Sequence, residues 1–324
     1  MQFDRNGADP GGKMQSGSGE VRFDDCAVLV TGAGRGLGYE TALLLASRGA
    51  KVVVADNGSD KGGDNPDVSR AAAVVREIRD AGGAAVECTA DLSFLAGAEQ
   101  AVDTCLSAFG RLDALAHLAS PCPPLKTPSD LVERDLDLVL RTNAQAGLWL
   151  ARTAWPHMAS RQFGRMVFAS SAGALGAPAN ADYSTAKSAM IGMTRCLAVD
   201  GAAHGILVNA IAPAAMTRMT EGFHPGAYAD WFARTMQSSS VAPAVAYLLA
   251  HACELTGELF SIGGGRIARI VFAETEGEMM GANSIEAVRD CMPDVLADTS
   301  YFYPKNLQER SEKVAGFLGF SEKR

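Results

Sequence analysis

An alternation that starts at Ala27 limits the available folds more than any other feature of the chain. Short, largely β-branched apolar runs are followed by longer alanine- and leucine-rich stretches with helical spacing. Ala27–Val30, Lys51–Ala55, Leu112–Ala116, Arg165–Ala169, Leu207–Ile211 and Leu259–Ile262 read as strands. Gly38–Ser47, Ser69–Ala81, Ala96–Phe109, Leu131–Met158, Ser184–Ala203 and Ala242–Ala252 read as helices. Strands that alternate with helices imply an α/β domain whose parallel sheet is covered on both faces.

The remaining bulk properties narrow the class. With 324 residues and 48% hydrophobic residues, the chain can build one large core. A net charge of −8 and the lack of a basic stripe argue against nucleic acid and anionic membranes as partners. No apolar run reaches the ~18 residues needed to span a bilayer. Seven scattered cysteines with no CxxC pair, and histidines without metal spacing, read as thiols in a reducing compartment. A cytoplasmic location without a metal centre is therefore expected. Residues 1–20 are polar and glycine-rich and read as a disordered tail rather than a signal peptide.

The first chemical motif follows the first strand. Ala27–Val30 runs into Thr31-Gly32-Ala33-Gly34-Arg35-Gly36-Leu37-Gly38, and a helix pattern begins directly. Backbone N–H groups at such a turn and the positive end of the helix suit a pyrophosphate. The spacing is TGxxxGxG, with Gly32, Gly36 and Gly38 at the fixed places. A structural turn would also use glycines, so the loop alone is weak evidence. The next strand, however, ends at Asp56, where a carboxylate can bind both ribose hydroxyls and repel a 2′-phosphate. Arg35 is a contrary signal, since a loop cation can pair with that phosphate. The carboxylate outweighs it, and NAD is expected over NADP.

The second motif is Tyr183-Ser184-Thr185-Ala186-Lys187. Tyr183 and Lys187 are four apart, hence on one face of a helix. A phenol ionises near pH 10 and is a poor base at neutrality. A neighbouring ammonium and an oxidised nicotinamide both favour its phenolate. Ser170 and Ser171 follow the strand Arg165–Ala169, where a hydroxyl can bind a substrate oxygen.

In this order the motifs resemble the short-chain dehydrogenase/reductases. They are TGxxxGxG, Asp56, Asp91-Leu92, Asn143, Ser170, Tyr183-x-x-x-Lys187, Asn209 and Pro213, and they cover roughly residues 22–265. The resemblance implies a single Rossmann-type, doubly wound, seven-stranded parallel sheet, commonly in a homodimer or homotetramer. It implies Tyr183 as general acid/base, Lys187 as pKa modulator and ribose ligand, and Ser170 as holder of the substrate oxygen, chosen over Ser171 by spacing to Tyr183. Asn143 would kink its helix and hold a relay water. Asp91 and Leu92 would border the adenine, and Arg35 and Leu37 complete the phosphate loop. Two segments depart from the family. Its usual asparagine–asparagine–alanine–glycine is His117-Leu118-Ala119-Ser120, where only Ala119 matches. Its proline–glycine near the nicotinamide is Pro213-Ala214, with Thr217 placed to reach the carboxamide.

The long loop after Asp56 and the segment Thr256–Arg266 resemble the (3R)-hydroxyacyl-CoA dehydrogenase domains of peroxisomal multifunctional enzymes and their bacterial relatives. The implied substrate is small and apolar, a 3-hydroxyacyl-CoA or a hydroxysteroid. A lid at 216–238, carrying Met216, Met219, Phe223, Tyr228, Trp231 and Phe232, would cover it. A biosynthetic ketoreductase using NADPH is the alternative within the enzyme class, and a catalytically silent binding protein is the alternative outside it. The expected organisation is a dehydrogenase domain over 21–275 and a helical extension over 276–324, packed on its own core or on a neighbouring subunit.

Overall fold

The computed structural model describes residues 19–217 and 226–319. Seven parallel strands form the sheet: β1 (Ala27–Thr31), β2 (Lys51–Ala55), β3 (Ala84–Cys88), β4 (Ala114–His117), β5 (Gly164–Ala169), β6 (Ile206–Pro213) and β7 (Leu259–Gly263). An antiparallel eighth, β8 (Arg266–Ile270), closes the edge, so the order is β3-β2-β1-β4-β5-β6-β7-β8. The expected seven-stranded parallel sheet is therefore present, and the segment after Gly265 adds an eighth strand to it. Every residue of β1 and β5 is buried, as befits strands covered on both faces.

The period of two along each strand sorts the core into two layers. Val28 and Val30, with Val52, Val54, Val167 and Ile211, pack under α1 (Gly36–Ser47), α2 (Ser69–Asp80) and, counted in chain order below, α8 (Ala242–Leu249). Leu29, Leu115, Met166, Phe168 and Val208 pack on the opposite face. That face is covered by α3 (Leu95–Phe109), α5 (Ala146–Ser160) and α6 (Ala181–Gly201). The remaining helices are α4 (Glu133–Leu140), α7 (Ala227–Thr235), α9 (Ile285–Ala297) and α10 (Leu307–Phe317). Chain direction across the sheet reverses between β1 and β4. The crevice beyond the carboxyl ends of these strands is where open α/β sheets bind ligands.

Three elements differ from the sequence-based expectation. β3 carries an exposed Ala84 and Glu87 and lacks a continuous apolar run, which hid it. The single helix expected over Leu131–Met158 is α4 and α5 joined by a π-helical turn, Arg141–Gln145. Its cause is local: Asn143 Nδ2 donates to the Val139 carbonyl at 2.9 Å, and a side-chain amide competing for a helix carbonyl disturbs the regular ladder. The region after residue 270 forms a two-stranded ribbon of β9 (Glu274–Thr275) and β10 (Tyr301–Phe302) together with α9 and α10. Ser284 and Asn306 cap the two helices, accepting from the N–H groups of Ala287 and Glu309. Among the described residues no helix is long and apolar enough to cross a membrane.

Candidate active site

A cavity of about 590 Å³ lies at the carboxyl ends of β1, β4 and β5. It collects Gly32, Arg35, Gly36, Leu37 and Gly38 from the first turn, and Asp56, Asp91 and Leu92 from the next two strand ends. Ala119, Ser170, Tyr183, Lys187, Pro213 and Thr217 also line it. Of the expected site residues only Asn143 is not on the lining; it is fully buried behind it.

The first turn is built for close approach. Gly32 has φ +67, and a Cβ there would sit 2.7 Å from the Ala119 backbone. A Cβ on Gly38 would lie 2.1 Å from the Gly32 carbonyl, so only glycine lets α1 start this tightly against the turn. Asp56 sits opposite. Its carboxylate accepts from Gly34 N–H at 2.8 Å and Gly58 N–H at 2.7 Å, which leaves acceptor capacity on each oxygen of this cavity-lining group. Gly34, which the motif leaves free, is thereby required: a Cβ would press on Asp56 at 2.9 Å. The Arg35 guanidinium donates to the carbonyls of Gly58 and Ser59, both at 2.8 Å, tying down the loop after β2.

His117, the most conspicuous departure from the family, proves to be a satisfied structural residue. Thr31 Oγ1 accepts from the N–H groups of Leu118 and Ala119, so its own proton is directed to His117 Nδ1 at 2.8 Å. Nε2 then carries the ring proton and donates to the Thr142 and Asn143 carbonyls, both at 3.1 Å, in the π turn. Burial and the nearby Lys187 charge push His117 down to about 4, so the ring is neutral.

At the catalytic end, Lys187 Nζ donates to the Ala169 carbonyl at 2.7 Å and lies 5.5 Å from the Tyr183 ring centre. Burial lowers its ammonium to about 7. Burial also pushes the Tyr183 phenol up to about 12, while hydrogen bonds from Ser171 and Ser120 act in the opposite direction. Asn143 Oδ1 is buried with no protein partner, a vacancy in hydrogen bonding that one ordered water can fill.

The two serines exchange the positions expected of them. Ser170 continues β5 on the side of Met166 and Phe168, which faces α6, and its hydroxyl donates to the Lys187 main-chain carbonyl at 2.8 Å. Ser171 is the one of the two whose hydroxyl favours the Tyr183 phenolate. Its oxygen caps the short turn Ala172–Leu175 by accepting from Gly173 N–H at 3.0 Å. A Cβ placed on Gly173 would be 3.4 Å from both Ser171 Oγ and Tyr183 Cε1, so the two groups converge on one point. Asn180 and Cys122 also line the cavity and were not foreseen, and Ser120, from the segment that departs from the family, lines it too.

The expected lid is only partly at the cavity. Met216 lines it. Tyr228, Trp231 and Phe232 of α7 instead pack on one another, with ring centres 5.3 and 6.2 Å from Tyr228, and are not among the lining residues. Met219 and Phe223 lie outside the described residues. Among the described residues no cluster of side chains could hold a metal ion. A nicotinamide dinucleotide does fit the residues present. The glycine turn at the start of α1 would hold the pyrophosphate, Asp56 a ribose, and the Tyr183–Lys187 pair would stand at the nicotinamide end.

The mouse peroxisomal multifunctional enzyme type 2 is 36% identical over 303 residues, which span 92% of this chain but 40% of the relative. The structure of the full-length Drosophila melanogaster enzyme of the same name superposes with a TM-score of 0.77 at 27% identity, over 92% of this chain and 50% of that one. A 7α-hydroxysteroid dehydrogenase solved with NADH and 7-oxo glycochenodeoxycholic acid gives 0.68 at 26% identity, over 75% of this chain and 95% of that one. The chain thus spans only 40% and 50% of the length of these two multifunctional enzymes. The family model described as short chain dehydrogenase matches residues 26–225, from β1 through the Tyr183–Lys187 helix and β6. On that match the chain belongs to the short-chain dehydrogenase/reductase family.

Proposed function

We propose that this chain is an NAD-dependent oxidoreductase that interconverts a secondary alcohol and a ketone. The observation that carries the proposal is the convergence of the Tyr183 phenol and the Ser171 hydroxyl at one end of a cavity whose other end is a glycine turn facing a carboxylate. When bound, the nicotinamide supplies the hydride acceptor. Ser171 donates its hydroxyl proton in a hydrogen bond to the substrate oxygen, since its own oxygen is already engaged by Gly173 N–H. Tyr183 takes the alcohol proton on its phenol oxygen in oxidation and returns it in reduction. Lys187 holds a positive charge beside the ring, and Asn143 Oδ1 offers a site for a relay water behind it.

Two features support NAD over NADP. A 2′-phosphate would stand against the Asp56 carboxylate, and Arg35, the cation that would offset it, is turned to the Gly58 and Ser59 carbonyls. Pro121, Leu138, Ala215 and Met216 give the substrate end an apolar wall. With the likeness to multifunctional enzymes and a hydroxysteroid dehydrogenase, this supports a 3-hydroxyacyl thioester or a hydroxysteroid as substrate; the homodimer or homotetramer proposed as the working form rests on the family resemblance alone. The silent-protein alternative drew only on the altered segment His117–Ser120. A neutral, fully bonded His117 removes that argument. The test is a turnover assay with NAD and NADP against 3-hydroxyacyl-CoA, hydroxysteroids and simple secondary alcohols, with Tyr183→Phe as control. Turnover lowered at least ~10²-fold in the variant, with NADH still bound, is expected. A wild type that binds NADH but turns over none of these classes would sink the proposal.

A further inference from the structure

We propose that the loop between β2 and α2 is a latched flap over the Asp56 end of the cavity, which retains the dinucleotide and sets the rate of its exchange. The inference rests on the reading of the cavity as a nicotinamide dinucleotide site.

The loop is a compact excursion, not a slack connection. Its ends meet: Asp67 N–H donates to the Asn57 carbonyl at 3.1 Å, and a Cβ on Gly58 would lie 2.0 Å from the Asp67 carbonyl oxygen. Between these ends the chain is bonded to itself. The Asp60 carboxylate accepts from the N–H groups of Gly62 and Asp64 at 2.9 and 3.0 Å and from Asn65 Nδ2 at 2.8 Å. Asp60 N–H donates to the Asp64 carbonyl at 2.7 Å. A loop closed at its base and bonded within moves as one body about that base.

The body of the loop reaches across the crevice. The sheet order is β3-β2-β1-β4, yet Cys122 N–H, in the segment after β4, donates to the Lys61 carbonyl at 2.9 Å. To make that bond, the chain leaving β2 crosses the carboxyl end of β1, where the glycine turn begins. Two further contacts hold it to α4. Gly63 lies against Leu138, since a Cβ there would be 2.8 Å from both Leu138 methyl groups, and Asp64 pairs with Arg134 one turn earlier. Ser59, Asp60 and Gly63 line the same cavity as Asp56, Asp91 and Leu92, so the crossing stretch is a wall of the site. No residue from Asn57 to Gly63 is exposed. The latches are modest: one backbone hydrogen bond, one apolar contact and one exposed ion pair, which thermal motion can open. A ligand enclosed beneath such a flap leaves only when it opens.

The test is the release rate of NADH, read by its fluorescence when the complex is mixed with excess NAD. Deleting residues 59–66 joins Gly58 to Asp67, whose backbones already touch, and leaves Asp56 and the glycine turn in place. The deletion should speed release at least about tenfold, the effect of losing one backbone hydrogen bond and its neighbouring contacts. Arg134→Ala, which removes only the exposed pair, should speed it about two- to fivefold, and Arg134→Lys should recover most of that. Gly63→Ala, which presses the flap off Leu138, serves if the deletion does not fold. Release within about twofold of wild type in the deletion, or in both Gly63→Ala and Arg134→Ala if the deletion does not fold, overturns the inference. Limited trypsinolysis of wild type gives a second readout. Saturating NADH should slow cleavage after Lys61 at least about tenfold, because the protease needs the open flap; equal rates with and without NADH overturn the inference. Slow NADH release that depends on the flap, in a chain that oxidises no alcohol, supports the flap and sinks the functional proposal alone. Alcohol turnover with flap-independent release sinks the flap alone.

Discussion

Replacing each of the two adjacent serines by alanine separates catalysis from architecture at this site. Each replacement removes one hydrogen bond to the backbone: Ser170 to the Lys187 carbonyl at 2.8 Å, Ser171 to Gly173 N–H at 3.0 Å. Each should therefore cost about 1 kcal/mol of stability, or roughly 2–4 °C in Tm. Of these two, only Ser171 acts on the Tyr183 phenol. Losing a preorganised donor to an oxygen that gains charge in the transition state lowers kcat by about 10²–10³-fold. Ser170→Ala should keep kcat within about tenfold, because the Lys187 carbonyl lies within α6 and its side chain is held separately by Ala169. The assay is steady-state kcat for both variants beside their thermal melts. If Ser170→Ala loses more turnover than Ser171→Ala at comparable Tm, the hydroxyl assignment is wrong and the loop geometry around Gly173 does not describe the working enzyme.

Three further outcomes follow from the same geometry. Asp56→Ala should weaken NAD and move the NAD-to-NADP preference at least about tenfold towards NADP, by paired titrations; a wild type already preferring NADP by more than that would show that Arg35 rules the site. His117 is held near 4 against an ordinary 6.5, so the unfolded chain binds a proton between these values that the folded chain does not. Stability is then lost as pH falls through that window, by about 3 kcal/mol from this group. Denaturant midpoints from pH 7 to 4 should fall less steeply in His117→Gln, and parallel curves would remove the histidine from the acid response. Truncation after Glu278 removes the Pro304 and Lys305 carbonyls that accept from Arg195 on α6, and Arg310, which pairs with Glu274. Tm should drop by at least about 4 °C; unchanged melting, assembly and kinetics would make the extension a dispensable appendage.

What the sequence disclosed depended on whether the deciding physics was local. The phosphate turn was legible because Gly32 answers to its own backbone angle, φ +67, and Gly38 to a clash with the Gly32 carbonyl a few residues back, and the Tyr183–Lys187 pair because four residues make one helix face. Gly34 was not, since its constraint comes from Asp56, a residue on another strand. From the sequence His117 reads as a sheet-end histidine with a satisfied hydrogen bond, which it is, but the string does not name its partners. Its partners Thr31, Thr142 and Asn143 are brought to it by the β1–β4 pairing and by the π turn, neither of which is visible in the local string. The unbroken apolar spacing of Leu131–Met158 likewise carries no mark of the Asn143 amide that opens the helix.

The serine assignment shows which kind of count is reliable. Counting back from Tyr183 crosses the turn Ala172–Leu175 and the exposed stretch beyond it, where one residue more or less changes nothing in the core. Counting forward from β5 follows a ladder paired residue by residue with β4 and β6. On that ladder Met166 and Phe168 point to the α6 layer, and Val167 and Ala169 to the α1 layer. Ser170 inherits the α6 side, where the only use for its hydroxyl is the carbonyl it meets. Ser171 is the first residue past the ladder, where the chain turns over the cavity. Strand parity is set by pairing on both sides and loop length is not, so a catalytic hydroxyl at a strand end is better located from the strand that carries it than from its partner across the loop.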